Sequence, residues 1–233
     1  MKTRNTLLAA VALVLLLVSC KTTAYNPSYR KDALANIDPF KMGDAVASVN
    51  KFLAYDLNQI TLAVNLEPRT NRVVLEYPFQ VSKVRLFFDA ADRAALLDAI
   101  ARYDAAFTAK TLETRGNKSA AFGVIQSELK WGMELGNKGE AVPSIKVGYR
   151  FIDGAPYFMI TVPETANDLY GRSTGGSRIK TSPFMVICFN RAQAAIFGDF
   201  LSDERIKKEL SAQNIPANLE VNPEKDINAP DAY

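Results

Sequence analysis

The chain of 233 residues contains no histidine. That absence excludes Ser-His-Asp and Cys-His catalysis. It also removes the commonest metal ligand and the usual near-neutral proton shuttle. Cysteine is almost as scarce. Cys20 and Cys188 are the only two, too few for a zinc site built from His and Cys. The alternating Asp/Asn loop ending in Glu that holds calcium is missing as well. Carboxylate, lysine or tyrosine chemistry is what remains, and no catalytic residue stands out. No apolar run reaches membrane-spanning length. The longest, Leu7 to Val18, has 12 residues. As a helix it rises ~18 Å, against a bilayer core ~30 Å thick.

What is present at the start is a label. Lys2 and Arg4 precede the apolar run, and "KTTAYNPSYRKD" follows it. A charged n-region with about 7 to 15 apolar residues behind it is the build of a secretory signal peptide. The run ends in Leu17-Val18-Ser19-Cys20, which resembles the lipobox of bacterial lipoproteins. The resemblance implies removal of residues 1–19, a diacylglycerol on the Cys20 sulfur and an acyl chain on its new amine. It implies no other cofactor. Several acyl chains, each buried CH₂ contributing ~0.8 kcal/mol, hold a protein on a leaflet stably. Lys21 stands where Asp retains some lipoproteins on the inner membrane, so the outer membrane is slightly preferred within the cell envelope.

Loss of Lys2 and Arg4 from the 28 basic residues leaves a net charge of +1 against 25 acidic ones. That is no footprint for nucleic acid. With Cys20 lipidated, Cys188 has no disulfide partner despite an oxidising compartment. In "FMVICF" it reads as a small buried hydrophobe.

Residues 20–37 read as a lipidated tether, 38–213 as one α+β domain and 214–233 as a polar tail with three prolines. Asp38-Pro39 has the form of a helix start. Met42, Ala45, Val46, Val49 and Phe52 follow at helical spacing, so a helix over 39–55 is expected. Alternation then marks strands over 59–67, 72–79 and 81–88. Asp89 caps a helix from Ala90 to about Thr111. Four more strands follow over 125–135, 145–151, 157–162 and 184–189, with "GNKGEAVP" as a hairpin turn. Asn190 caps a helix to Leu201, and Ser202 restarts it to about 211. The sum is an antiparallel sheet of about seven strands with helices on one face, since clean alternation means one buried and one wet face.

"FDAADRAALLDAI" from Phe88 is echoed 101 residues later by "FNRAQAAIFGDFL" from Phe189. Both fit a strand ending in Phe, an Asx cap and a helix, with Ala91/Ala192 and Ala94/Ala195 expected to pack closely on a sheet. An internal duplication of a strands-plus-helix unit, with halves about 56–113 and 119–211, explains the echo. Such a topology is similar to Whirly and PUR-type single-stranded nucleic-acid-binding domains. Readers of single strands place aromatics on the open face. Here Tyr77, Phe79, Trp131, Tyr149 and Phe151 fall on the core side, so no nucleic-acid partner is expected.

The loop "YGRSTGGSRIK" is the candidate anion site. Gly175 and Gly176 let backbone N–H groups converge, and Arg172, Arg178 and Lys180 supply charge. It lacks P-loop spacing. Glu128 and Glu134 share a strand face but lie roughly 20 Å apart at ~3.3 Å per residue, too far to act as a catalytic pair. Ser48 and Lys51 have Ser-x-x-Lys spacing without its companion motifs. These features point to an envelope binding, scaffold or assembly component whose partners are membrane lipid and an envelope protein or glycan. A carboxylate- or lysine-based hydrolase of envelope glycans or peptides is the alternative. Labelled palmitate fed to cells should enter the wild-type protein and be absent from Cys20→Ala; label retained by the variant contradicts the lipobox reading.

Overall fold

The computed structural model describes residues 33–50, 57–79, 82–132, 137–172 and 175–213. The signal segment, Cys20, Lys51, Glu134 and the tail over 214–233 lie outside the described residues. No helix among those described is long and apolar enough to cross a membrane. Among the described residues the fold is α+β, with ten antiparallel strands and three α-helices. In chain order these are β1 (Phe40–Asn50), β2 (Leu57–Glu67), β3 (Arg72–Phe79), β4 (Ser82–Phe88) and α1 (Ala90–Thr108). Then come β5 (Gly123–Gln126), β6 (Glu128–Gly132), β7 (Lys138–Ala141), β8 (Ser144–Ile152), β9 (Ala155–Val162) and β10 (Met185–Phe189). Two helices finish the series, α2 (Arg191–Leu201) and α3 (Asp203–Ala212).

Three differences separate this count from the seven strands expected. The helix over 39–55 is a strand, β1, paired along its length with β2. A bulge between Lys41 and Gly43 shifts the register, as an inserted residue does. Met42, Ala45 and Ala47 are therefore the buried set. The jump of three from Met42 to Ala45 imitates helical spacing. Asp38 caps no helix; its carboxylate pairs with Arg69 at 3.2 Å. The strand expected over 125–135 breaks at Ser127 into β5 and β6, and β7 forms within the expected turn. Part of the segment read as tether packs on the domain. Ala33 and Ala35 are buried, and Leu34 N donates to Pro68 O at 2.8 Å.

The strand order is β5-β8-β9-β10-β1-β2-β3-β4-β6-β7, and the sheet curls into a half-barrel. Ser127 explains the curl. It is the one residue between β5 and β6, which stand near opposite ends of that order. A flat sheet of this width cannot be bridged by one residue of chain. Ser127 is buried and its hydroxyl donates to the Asp92 carboxylate at the start of α1. The concave face closes over α1 and α2 in one continuous core. Phe189 stacks on Phe197 at 4.9 Å between centroids, and Phe197 meets Phe88 edge-on at 6.5 Å.

Each helix follows a run of four neighbouring strands: β1-β2-β3-β4 before α1, and β5-β8-β9-β10 before α2, with the β6-β7 hairpin inserted in the second. Both N-termini carry full capping boxes, Asp89 with Asp92 and Asn190 with Gln193. Arg93/Ala194, Leu96/Phe197 and Ile100/Leu201 are buried in both. Ala91, Ala94, Ala192 and Ala195 are exposed, contrary to the expectation that they pack on the sheet. The close approach comes instead at Gly43, where a Cβ would stand 2.8 Å from the Phe200 ring.

Tyr103 ties α1 to the sheet. It is fully buried, and its hydroxyl donates to Pro156 O at 2.8 Å. Burial pushes its phenol up to about 12. Tyr103→Phe leaves that carbonyl without its donor and should lower stability by about 1–2 kcal/mol, measured as a shifted urea midpoint with unchanged slope.

Candidate functional site

The loop chosen from the sequence is firmly stitched. The buried Asn167 side chain accepts from Glu140 N and Leu169 N, each at 3.0 Å, and donates to Ile179 O at 2.8 Å. Asp168 N donates to Glu140 O at 2.9 Å. The loop therefore lies along the outer side of β7, where it covers backbone groups that an edge strand otherwise exposes. Arg172, Gly175, Gly176, Arg178 and Lys180 are all exposed. Gly176 is required by backbone packing, since a Cβ there would stand 2.1 Å from Arg172 O. Lys180 lies 5.9 Å from the Tyr170 ring. Gly175 lines a cleft that also holds Arg85 and Lys138.

Of the acids chosen from the sequence, Glu128 is engaged and Glu134 lies outside the described residues. Ser48 sits on β1 opposite Cys188, not on a helix. Glu128 bonds Lys130 at 2.6 Å and also Arg72. Burial pushes its carboxyl up, but Lys130 and Arg72 outweigh that and its pKa is lowered. It lines a cavity of 270 Å³ with Asp89, Asp92, Glu140 and Asp168. Asp89 and Asp92 in that cavity serve as helix caps. A general acid needs a raised pKa, and the shift at Glu128 runs the other way. Among the described residues no group of three acids or cysteines is placed to hold a metal.

A larger cavity, 530 Å³, opens on the convex face where β8, β9 and β10 run side by side. Strand register builds it. Lys146 pairs with Thr161, and Thr161 with Val186. The next row is Gly148, Met159 and Cys188. Gly148 leaves room for the chain after α1 to cross. A Cβ there would stand 1.9 Å from Lys118 O, and Tyr149 N donates to that oxygen at 3.1 Å. The Tyr149 hydroxyl clamps the same segment, accepting from Glu113 N at 3.0 Å.

The result is an apolar floor of Met159 and Val186, a half-exposed Phe184 at one side, and a rim of Lys118, Lys146 and Arg150. Lys118 pairs with Glu113. That bond lowers the Glu113 pKa and raises that of Lys118. Thr161 is 9% exposed, and its Oγ1 has no hydrogen-bond partner among the described residues. A buried hydroxyl left unpaired is costly, so a ligand group that reaches it gains a bond at little further desolvation.

Cys188 beside this floor is fully buried. Burial pushes its thiol up to about 11, and Arg150 offsets only part of the rise. The reading of Lys146, Gly148 and Arg150 as one wet row was available from alternation. Their meeting with Thr161 and Val186 was not, because it depends on the register of three strands.

Residues 39–208 match the model of a family described as "Uncharacterised Treponema protein". An uncharacterized protein of Treponema pallidum (strain Nichols) is 29% identical over 139 residues, which cover 56% of this chain and 50% of that relative. The chain thus spans about half the length of the curated relative it matches. No solved structure matches. Alkylation at pH 8, followed by mass mapping of the Cys188 peptide, should find this thiol unmodified in the folded protein and modified in denaturant. Rapid labelling in the native state would contradict its burial.

Proposed function

The chain belongs to this family of uncharacterised Treponema proteins, and we propose that it is a lipid-anchored envelope protein that binds a partner without transforming it. The single observation that carries the binding half is the convex groove. It offers cations, an unpaired hydroxyl and an apolar floor, while the Cys188 thiol in the neighbouring row is buried and held in its protonated form. A thiol kept protonated does not attack, and cations with a hydroxyl around an apolar floor suit recognition. The hydrolase alternative lacks such support, because Glu113 and Glu128 both have lowered pKa values where a general acid needs a raised one.

The anchoring half rests on Leu17-Val18-Ser19-Cys20 and the run before it. Acyl chains on Cys20 place the domain on an envelope leaflet, with Lys21 slightly favouring the outer membrane. The tether raises the effective concentration of the domain toward envelope proteins or glycans on that surface. The two four-strand-plus-helix units derive from a duplication. Support comes from the 101-residue offset, the paired capping boxes and the matched burial of their helices.

Crosslinking in intact cells tests the groove. Wild type should yield a defined crosslinked species. Lys146→Glu combined with Arg150→Glu should lose most of it while keeping the wild-type circular dichroism and membrane fraction. An unchanged species in the double variant places the partner elsewhere and refutes the groove as the binding surface.

A further inference from the structure

Arg93, in the first turns of α1, serves neither half of the function above. It is 3% exposed, and a buried guanidinium is costly unless its donors are met. They are met unevenly. Nη1 donates to Asn71 O at 2.7 Å and to Asn71 Oδ1 at 3.1 Å. Nη2 donates to Asp203 Oδ1 at 3.3 Å. Nε shares an edge of the guanidinium with Nη2; it is buried and has no hydrogen-bond partner among the described residues.

That edge suits two oxygens and holds one. The bond to Asp203 is long for a charge-assisted pair, whose usual length is ~2.7–2.9 Å, and the Asp203 side chain is 73% exposed. Asp203 is the first residue of α3, and the hydroxyl of Ser202 caps that helix, so the carboxylate is free to turn to solvent without uncapping it. Arg93, Asn71 and Asp203 all line a cavity of 210 Å³. Its helical residues fall on single faces, Ala90 and Arg93 on α1 and Asp203, Ile206, Lys207 and Leu210 on α3, since residues three and four apart are neighbours on a helix. Lys207 adds a second cation, while Leu34, Ile206 and Leu210 make the remaining wall aliphatic. The volume is below the ~300 Å³ at which sites for drug-sized ligands begin, so the occupant is small.

We propose that this cavity binds a small aliphatic carboxylate, which replaces Asp203 on Arg93. The ligand accepts from Nε and Nη2 in parallel, the geometry a guanidinium edge and a planar carboxylate share. Asp203 shows a carboxylate already reaching that edge. The aliphatic wall takes the hydrocarbon, which Asp203 lacks. The source is either a free short-chain acid or the carboxyl terminus of a peptide that ends in an aliphatic residue.

The full chain, reconstituted in phosphatidylcholine vesicles, is titrated by calorimetry with sodium pentanoate and with N-acetyl-leucine, against pentanol and sodium chloride as controls. Saturable binding that favours pentanoate assigns a free acid. Binding that favours N-acetyl-leucine assigns a peptide terminus. Arg93→Lys keeps the charge but loses the paired donors, and should weaken binding about tenfold or more. Asp203→Asn removes the competing carboxylate and should tighten binding about two- to fivefold. Pentanoate should also raise the melting temperature of Asp203→Asn by more than that of the wild type. This arm keeps the test decisive if Arg93→Lys fails to fold, because a purely structural Arg93–Asp203 pair yields no gain in affinity. Lys208→Gln, beside the cavity but not lining it, should change nothing. The proposal is overturned if neither acid binds saturably to wild type or Asp203→Asn, if pentanol binds as well as pentanoate, or if Asp203→Asn binds no tighter than wild type.

Discussion

One residue of connecting chain governs this architecture. Ser127 alone separates β5 from β6, and those strands stand near opposite ends of a ten-stranded order. The sheet must therefore curl until its ends meet. Curling makes a concave face deep enough for α1 and α2 to fill, and the apolar stripes of strands and helices meet there. The hydroxyl of Ser127 bonds the Asp92 carboxylate. Closure of the sheet and capping of the helix are thus one hydrogen-bonded unit. Burial of apolar surface drives the assembly, but the short link sets its shape.

The convex face inherits what the concave face leaves. Helices cover one side of the sheet, and the other side carries the groove described above. On β8, β9 and β10 the register aligns Lys146, Thr161 and Val186 in one row and Gly148, Met159 and Cys188 in the next. A groove forms because Gly148 has no side chain and the segment at Lys118 lies across it. On β3, β4 and β6 the same face is closed by charge. Arg72 lies 4.7 Å and Lys130 5.0 Å from the Phe87 ring centroid, and both hold Glu128. The contrast is physical. Opposite charges placed across strands neutralise one another, whereas Lys146 and Arg150 flank a glycine and have neutral residues opposite.

Most elements were legible in the sequence. Alternation identified β2, β3, β4 and β8, runs apolar on both faces identified β9 and β10, and the caps Asp89, Asn190 and Ser202 identified α1, α2 and α3. The failures share a cause. At Gly43 a bulge resets the alternation, so β1 imitates a helix. At Ser127 the chain changes partners without changing its extended conformation, so two strands read as one. In β7 the glycine at position 139 reads as a turn, although it is there to admit the Trp131 ring. Each is a local pattern overridden by a distant contact. The anion loop is a related case. Its glycines and basic residues were visible, yet the loop spends its backbone bonds on the edge of β7.

By itself the sequence determined which residues face inward, which chemistries are excluded and where helices begin. Those properties depend on residue type, on spacing along one chain and on hydrogen bonds that reach no further than three residues. Only the tertiary structure decided that Lys146, Thr161 and Val186 share a groove and that the segment at Lys118 lies across Gly148. Those juxtapositions join residues up to 40 positions apart in the chain. They depend on register and curl, which are set by the packing of the whole sheet and by no segment of it alone.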